Sequence, residues 1–412
     1  MITDQNKTEG LSAKGEKNLW SKNNPMQFWQ VQSEIDPETW KEAIIKASEK
    51  NGLPLNNNQV DNLLHYTLGE GRFGENHWDL SLFNRMYWWL KPILPHRMIR
   101  KARKIVHRME RKMSWRNWPI DDGYTCFQWD IMRQLLEISG KQSVLFKDFW
   151  PDYHQYAFVL THDVESTEAQ SYIPRIADLE EKKGFRSLFN IVGDQIPNDL
   201  SMLHEIADRG FEIGLHGWHH NDWLYQSRNN FIKGAVVINE KLRTLDAVGF
   251  RSPLNLRHPE WMQALNIEYD LSFFDTDPFE PIPGGTMCVW PFKIGHFTEL
   301  PATLVQDNTL ISLLGDTTPK VWLDKVDFLQ KFHGMALLNS HPDYLVHQPV
   351  WNVYEQFLDK MRENDGYWHA LPREVARWWC QRMDDDGLDG SKPFNLVEAK
   401  MTDDQLAFGK PN

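Results

Sequence analysis

From about Tyr156 to Trp379, short apolar runs alternate with longer stretches whose apolar residues recur at helical spacing, the pattern of a repeated β-α unit. The clearest run is 156–165, Tyr-Ala-Phe-Val-Leu-Thr-His-Asp-Val-Glu. It has β-branched and aromatic members, no Gly or Pro, and an abrupt polar end. Such a run predicts a strand covered on both faces in a parallel sheet. Further strands are expected over 187–192, 211–215, 269–274 and 335–339, with a short strand end at Gly249-Phe250. Helices are expected over 171–183, 229–245, 259–265, 321–332, 351–363 and 372–382, and over 200–209, closed by Gly210. The segments 300–306 and 309–314 fit neither period cleanly. Ahead of this α/β region, helical patterns cover 37–50, 53–68 and 127–138, while 78–94 packs five aromatics among leucines, as a docked helix or an interfacial anchor. The expected division is a disordered N-terminus (1–25), a helical extension (26–150), the βα domain (151–383) and a loose acidic tail (384–412).

Charge changes this picture in one place. The chain of 412 residues carries a formal charge of −12, which argues against a nucleic-acid partner. Within 96–118, however, Arg97, Arg100, Lys101, Arg103, Lys104, Arg108, Arg111, Lys112 and Arg116 face a single acid, Glu110. Met98, Ala102, Ile105, Val106, Met109 and Met113 recur there at helical spacing. This reads as a basic amphipathic helix, suited to an anionic membrane face or a phosphate-bearing substrate, or else simply solvated. The 19 Trp supply ring surface for a core or for stacking on sugars. Cys126, Cys288 and Cys380 are too few and too scattered for a disulfide framework or a zinc pattern, which fits a reducing compartment. The first residues show no apolar leader, and no uncharged run approaches the ~18 residues of a membrane span. The expected location is the cytoplasm, with the basic helix at the inner face of the membrane.

The chemistry gathers at strand ends. Asp163 and Glu165, two apart, share one side of an extended strand at its C-terminal mouth, where β/α folds place their sites. His216-Gly217-Trp218-His219-His220 follows the strand at 211–215. His216 and His220 can converge on one ion if a helical turn starts there, and a nearby carboxylate completes a zinc-type set with room for water. Arg251, at a third strand mouth, has the fork that holds a carboxylate. His341, after the last strand, is placed to donate a proton. Taken singly, these residues read equally as a capping acid, a structural ion pair and a loop histidine. Trp218 and His219 are candidate pocket walls.

Thr161-His162-Asp163, His216-x-x-x-His220, Arg251-Ser252-Pro253, Asp275-Thr276-Asp277 and Leu338-x-x-His341 together resemble, in order and spacing, the motifs of the polysaccharide deacetylases, carbohydrate esterase family 4. The resemblance spans roughly 155–380. It implies an incomplete (β/α)7 barrel that uses a divalent metal, usually Zn, to remove an acetyl group from an N-acetylated sugar. It makes Asp163 the base, His216 and His220 metal ligands, Arg251 the residue steering the base and His341 the acid. Asp275, or with less weight Asp277, would orient His341; Trp218, His219, Pro253 and Asp277 are candidate substrate contacts. One departure is Val164, which stands where the family has a second Asp. Either Glu165 binds the metal, or Asp163 does so and another group is the base. His-Gly-Trp also resembles a branch with metal-independent, allantoinase-type amide hydrolases. The expected function is therefore a metal-dependent deacetylase acting on a glycan or lipid-linked glycan intermediate of surface polysaccharide assembly. A metal-free hydrolase of a small amide and a catalytically silent glycan-binding barrel are the alternatives.

Overall fold

The computed structural model describes residues 19–55, 59–79, 118–384, 394–403 and 405–411. Its central strand is β2 (Tyr156–Val164), every residue of which is buried. Along one edge β2 pairs in parallel with β9 (Met335–Ser340). Along the other it pairs first with β10 (Tyr367–His369) and then, at its C-terminal end, with β3 (Leu188–Ile191). The parallel order continues through β4 (Glu212–Leu215), β5 (Gly249–Phe250) and β6 (Tyr269–Asp270) to β8 (Phe297–Glu299), which forms a hairpin with β7 (Phe292–Ile294).

The sheet curls, and the wall between β8 and β9 is made by irregular chain. Asp275 N donates to Ala302 O at 3.2 Å, and Leu304 N to Leu337 O at 3.0 Å. Helices α4 (Ile173–Lys183), α5 (Ser201–Asp208), α6 (Arg228–Thr244), α7 (Lys320–Lys331), α8 (Gln348–Glu363) and α9 (Pro372–Asp384) connect the strands. This is the incomplete (β/α) barrel that the sequence pattern and the resemblance imply.

The extension contributes α1 (Pro37–Lys50), α2 (Val60–Thr67) and α3 (Gly123–Ser139). The helix expected over 53–68 forms only from Val60. Two other expectations change. The tail is not loose throughout: β11 (Leu396–Thr402) and β12 (Gln405–Gly409) pair antiparallel, and β11 pairs with β1 (Ser143–Lys147). Nor is the end of the 1–25 segment free. Trp20 is buried, and the Asn23 side chain exchanges two hydrogen bonds with the Lys293 backbone, at 2.8 and 2.7 Å, as a strand neighbour would. The basic segment 96–118, except Trp118, and the aromatic stretch beyond Asp79 lie outside the described residues.

Aromatic packing joins these parts. Trp129 of α3 stacks on Trp290 at 5.5 Å, Trp29 meets Phe146 of β1 edge-on at 5.4 Å, and Phe408 of β12 closes on both Trp29 and Trp129. Six Trp, at 20, 29, 150, 290, 322 and 379, are fully buried, so much of the ring surface serves the core.

A buried ion pair locks the extension to a barrel loop. The Glu70 carboxylate takes Arg257 Nε at 2.7 Å and NH2 at 2.8 Å, Trp78 Nε1 at 3.1 Å and Gly285 N at 2.8 Å. Glu70 holds φ at 53°, a conformation its four bonds over-determine. A Cβ on Gly284 would stand 2.0 Å from Arg257 NH2 and 2.2 Å from Glu70 Oε1, so this close approach requires glycine. Burial alone would raise the Glu70 carboxyl, but Arg257, helped by His77 and Trp78, outweighs it and holds the group below its ordinary value. Glu70→Gln leaves Arg257 buried and unpaired and should cost about 3–5 kcal/mol at neutral pH. Because the folded value is lowered, the wild type's advantage is complete above the ordinary 4.5 and fades as pH falls through the folded value. Urea melts of both proteins at neutral pH and near pH 3 check the size and the sign.

Candidate functional site

At the mouth of β2, Asp163 and Glu165 stand in different company. Asp163 lies deep. Its Oδ1 accepts from Arg251 NH1 at 3.0 Å and Asn190 Nδ2 at 3.1 Å, and its Oδ2 accepts from Asn339 Nδ2 at 2.8 Å. Burial would push this carboxyl up, but Arg251 leads a group, with His216, His341 and Asn339, that holds it well below the carboxylate range. Arg251 is itself fully buried, its NH1 also donating to Thr161 Oγ1 at 3.0 Å and Asn339 Oδ1 at 2.5 Å, its Nε to Leu271 O at 3.0 Å. One guanidinium thus ties the ends of β2, β5 and β9 together.

Glu165 sits one step beyond the ladder, next to the histidines. Its Oε1 is 3.1 Å from His220 Nε2 and 3.8 Å from His341 Nε2. One ligand atom from each of Glu165, His216 and His220 lies within 4.8 Å of the others. Loss of water around Glu165 would raise its carboxyl, but the hydrogen bond from His220, with the charge of His341 nearby, holds it at about 2.

The two histidines converge without a helix. After β4 the chain turns at Gly217, φ 66°, and 216–222 stays irregular. A Cβ at Gly217 would lie 2.4 Å from the Pro253 ring, so Pro253 packs under this turn. His216 Nδ1 lies 3.2 Å from Arg251 O, which as a carbonyl must accept; the ring's acceptor nitrogen is therefore Nε2. Burial lowers His216 to about 4, keeping it neutral and able to ligate. Two imidazoles and one carboxylate are the donor set of an open zinc site, so these residues fit a divalent cation. Asp163, with its oxygens already taken by Arg251, Asn190 and Asn339, lies beside this set.

His341 is the third element. Its Nδ1 lies 2.7 Å from Asp307 Oδ1, and its backbone N donates to Asp307 Oδ2 at 2.9 Å. Burial would lower this imidazole, yet Asp307, then Glu165 and Asp163, raise it to about 10. The residue expected to orient it, Asp275, is elsewhere: it pairs with Lys325 of α7 at 2.7 Å. Asp277 accepts from Phe279 N at 2.8 Å within its own loop. Asp307 was missed because 300–306 matched no regular period. Its signal was present all the same, an apolar stretch ending in Gln306-Asp307 as the β2 run ends in Asp163.

Trp218 and His219 stack on each other at 4.2 Å at the rim, with His219 Nδ1 2.5 Å from Asp194. Among the described residues, no helix is long and apolar enough to cross a membrane.

Residues 152–259 match the family model described as polysaccharide deacetylase. No curated protein matches the chain. Among solved structures it is similar to a candidate polysaccharide deacetylase from Mycobacterium smegmatis, at 18% identity and a TM-score of 0.48, over 57% of this chain and 94% of that one. A probable polysaccharide deacetylase from Pseudomonas aeruginosa PAO1 gives 14% and 0.47, with the same coverage. Puue allantoinase gives 12% and 0.43, over 57% of this chain and 93% of that one.

The geometry separates the two carboxylates experimentally. Equilibrated with Zn²⁺ and desalted, the wild type should retain about one ion per chain, matching the one such donor set among the described residues. Glu165→Ala and His220→Ala should lose it and Asp163→Asn should keep it, read by elemental analysis.

Proposed function

We propose that this chain, whose residues 152–259 match the polysaccharide deacetylase family model, is a hydrolase of N-acetyl amide bonds that removes an acetyl group from an acetylated amino sugar of a glycan. The observation that carries this reading is the meeting of Glu165, His216 and His220 beside two separately tuned groups, Asp163 and His341. Held by those three residues, a divalent cation, zinc by the donor set, supplies acidity for water and positive charge for the developing oxyanion.

The remaining work falls to the chain's own residues. Asp163, ionised and fixed by Arg251, Asn190 and Asn339, accepts the proton of the water that attacks the amide carbonyl. The arginine bond keeps it from turning away, as an unheld carboxylate would. His341 is protonated at neutral pH because Asp307 stands against its Nδ1, which leaves Nε2–H on the side of Glu165 to protonate the leaving nitrogen. The C–N bond breaks and acetate and the amine leave. Trp218 has one face covered by His219, so a sugar ring would rest on what remains.

Release of acetate from N-acetylated glucosamine oligomers, measured enzymatically, tests the proposal. The wild type with Zn²⁺ should be active and chelator should abolish the activity. Asp163→Asn and His341→Ala should each lose at least ~100-fold in kcat, the usual share of a proton-transfer group. Asp307→Asn should fall on the same scale while KM barely moves, because the bond from Nδ1 orients the acid rather than the substrate. Activity that survives chelation would favour the metal-free amide hydrolase, and sugar binding without acetate release would favour the silent barrel.

A further inference from the structure

Resting on the metal reading above, we propose that Asp343 is the positioning residue for the metal carboxylate, holding Glu165 through its backbone. Strand pairing ends at Val164, whose register partner is Ile191. The N–H of Glu165 therefore has no strand neighbour to receive it. It donates instead to Asp343 Oδ2 at 3.1 Å. The other oxygen, Oδ1, accepts from Ser166 Oγ at 2.6 Å. That hydroxyl in turn accepts from Ala169 N at 3.1 Å, capping the short helix Thr167–Gln170. Glu165 is thus gripped on its own N–H and, one residue on, through the turn into the next helix.

Asp343 lies in the turn Pro342–Leu345 that follows His341, and His341 is held on its other side by Asp307. A single loop of three residues consequently fixes both the acid and the metal carboxylate. The 3.8 Å between His341 Nε2 and Glu165 Oε1, and the 3.1 Å between Glu165 Oε1 and His220 Nε2, both depend on that frame. A carboxylate that accepts from a ligand's backbone N–H and from the next residue's hydroxyl is an outer-shell orienting group, whose removal usually costs 10–100-fold in metal affinity.

A purely structural cap would behave differently. Zn²⁺ affinity, measured by competition calorimetry on the full chain, is the readout, with melting temperature measured alongside. Asp343→Ala should weaken zinc binding 10–100-fold in protein that is still folded. Asp343→Asn should stay close to the wild type, since its oxygen can accept from Glu165 N and its amide can donate to Ser166 Oγ. If Asp343→Ala does not fold, Asp343→Ser, too short to reach both groups, takes its place under the same expectation. Equal zinc affinity of wild type and either truncated variant overturns the proposal even if the melting temperature falls. An asparagine variant as weak as the alanine one overturns orientation as the cause. A wild type that takes up no zinc is a separate result, which removes the metal reading and this proposal with it.

Discussion

A guanidinium with no access to water must be met by an anion, and Arg251 meets Asp163 at 3.0 Å under the mouth of the barrel. The pair does more than neutralise charge. Arg251 is a fixed donor, so Asn339 must turn its oxygen toward the arginine and its amide toward Asp163 and Gln306. The direction of each hydrogen bond across β2, β5 and β9 then follows. Asp163 is consequently ionised and immobile, and Glu165, two residues on, is left to face the histidines.

The same logic of burial joins the extension to the barrel. Glu70 and Arg257 come from parts of the chain almost two hundred residues apart, and neither is tolerable in the interior alone. Their contact sets the course of the loop from Asp275 to Gly285. That loop carries Glu280, which accepts from Gln306 at 2.6 Å, and Gln306 bonds Asn339. A continuous polar path runs from the docked extension to the groups around Asp163. The tail strands and the aromatic layer around Trp129 join the extension to the barrel separately, by apolar packing near the start of β2 and β9.

Two aspartates illustrate how environment assigns roles. Asp275 is buried against Lys325, and burial pushes it up to about 7 despite that cation; it serves packing between a loop and α7. Asp307 stands on both the ring and the backbone N–H of His341 and keeps that imidazole charged. The difference between a structural and an orienting carboxylate lies entirely in what each one touches.

The sequence by itself determined the βα alternation and the long buried strands β2 and β9, and it set Asp163, Glu165, His216, Arg251 and His341 at strand ends. These are consequences of local periodicity, and a buried strand that ends in polar residues announces its mouth. Strands of two or three residues, such as β5, β6 and β10, are defined by their neighbours rather than by their own pattern, and the tail strands exist because β1 is there to receive them. The irregular wall at 300–307 could not be read for the same reason, and Asp307 was hidden with it. Only the tertiary structure decided that Glu165 rather than Asp163 joins the histidines, that Asp307 rather than Asp275 holds His341, and that a turn at Gly217 rather than a helix brings His216 and His220 together. Hydrogen-bond partners separated by tens of residues depend on strand order and side-chain direction, which one-dimensional spacing does not contain.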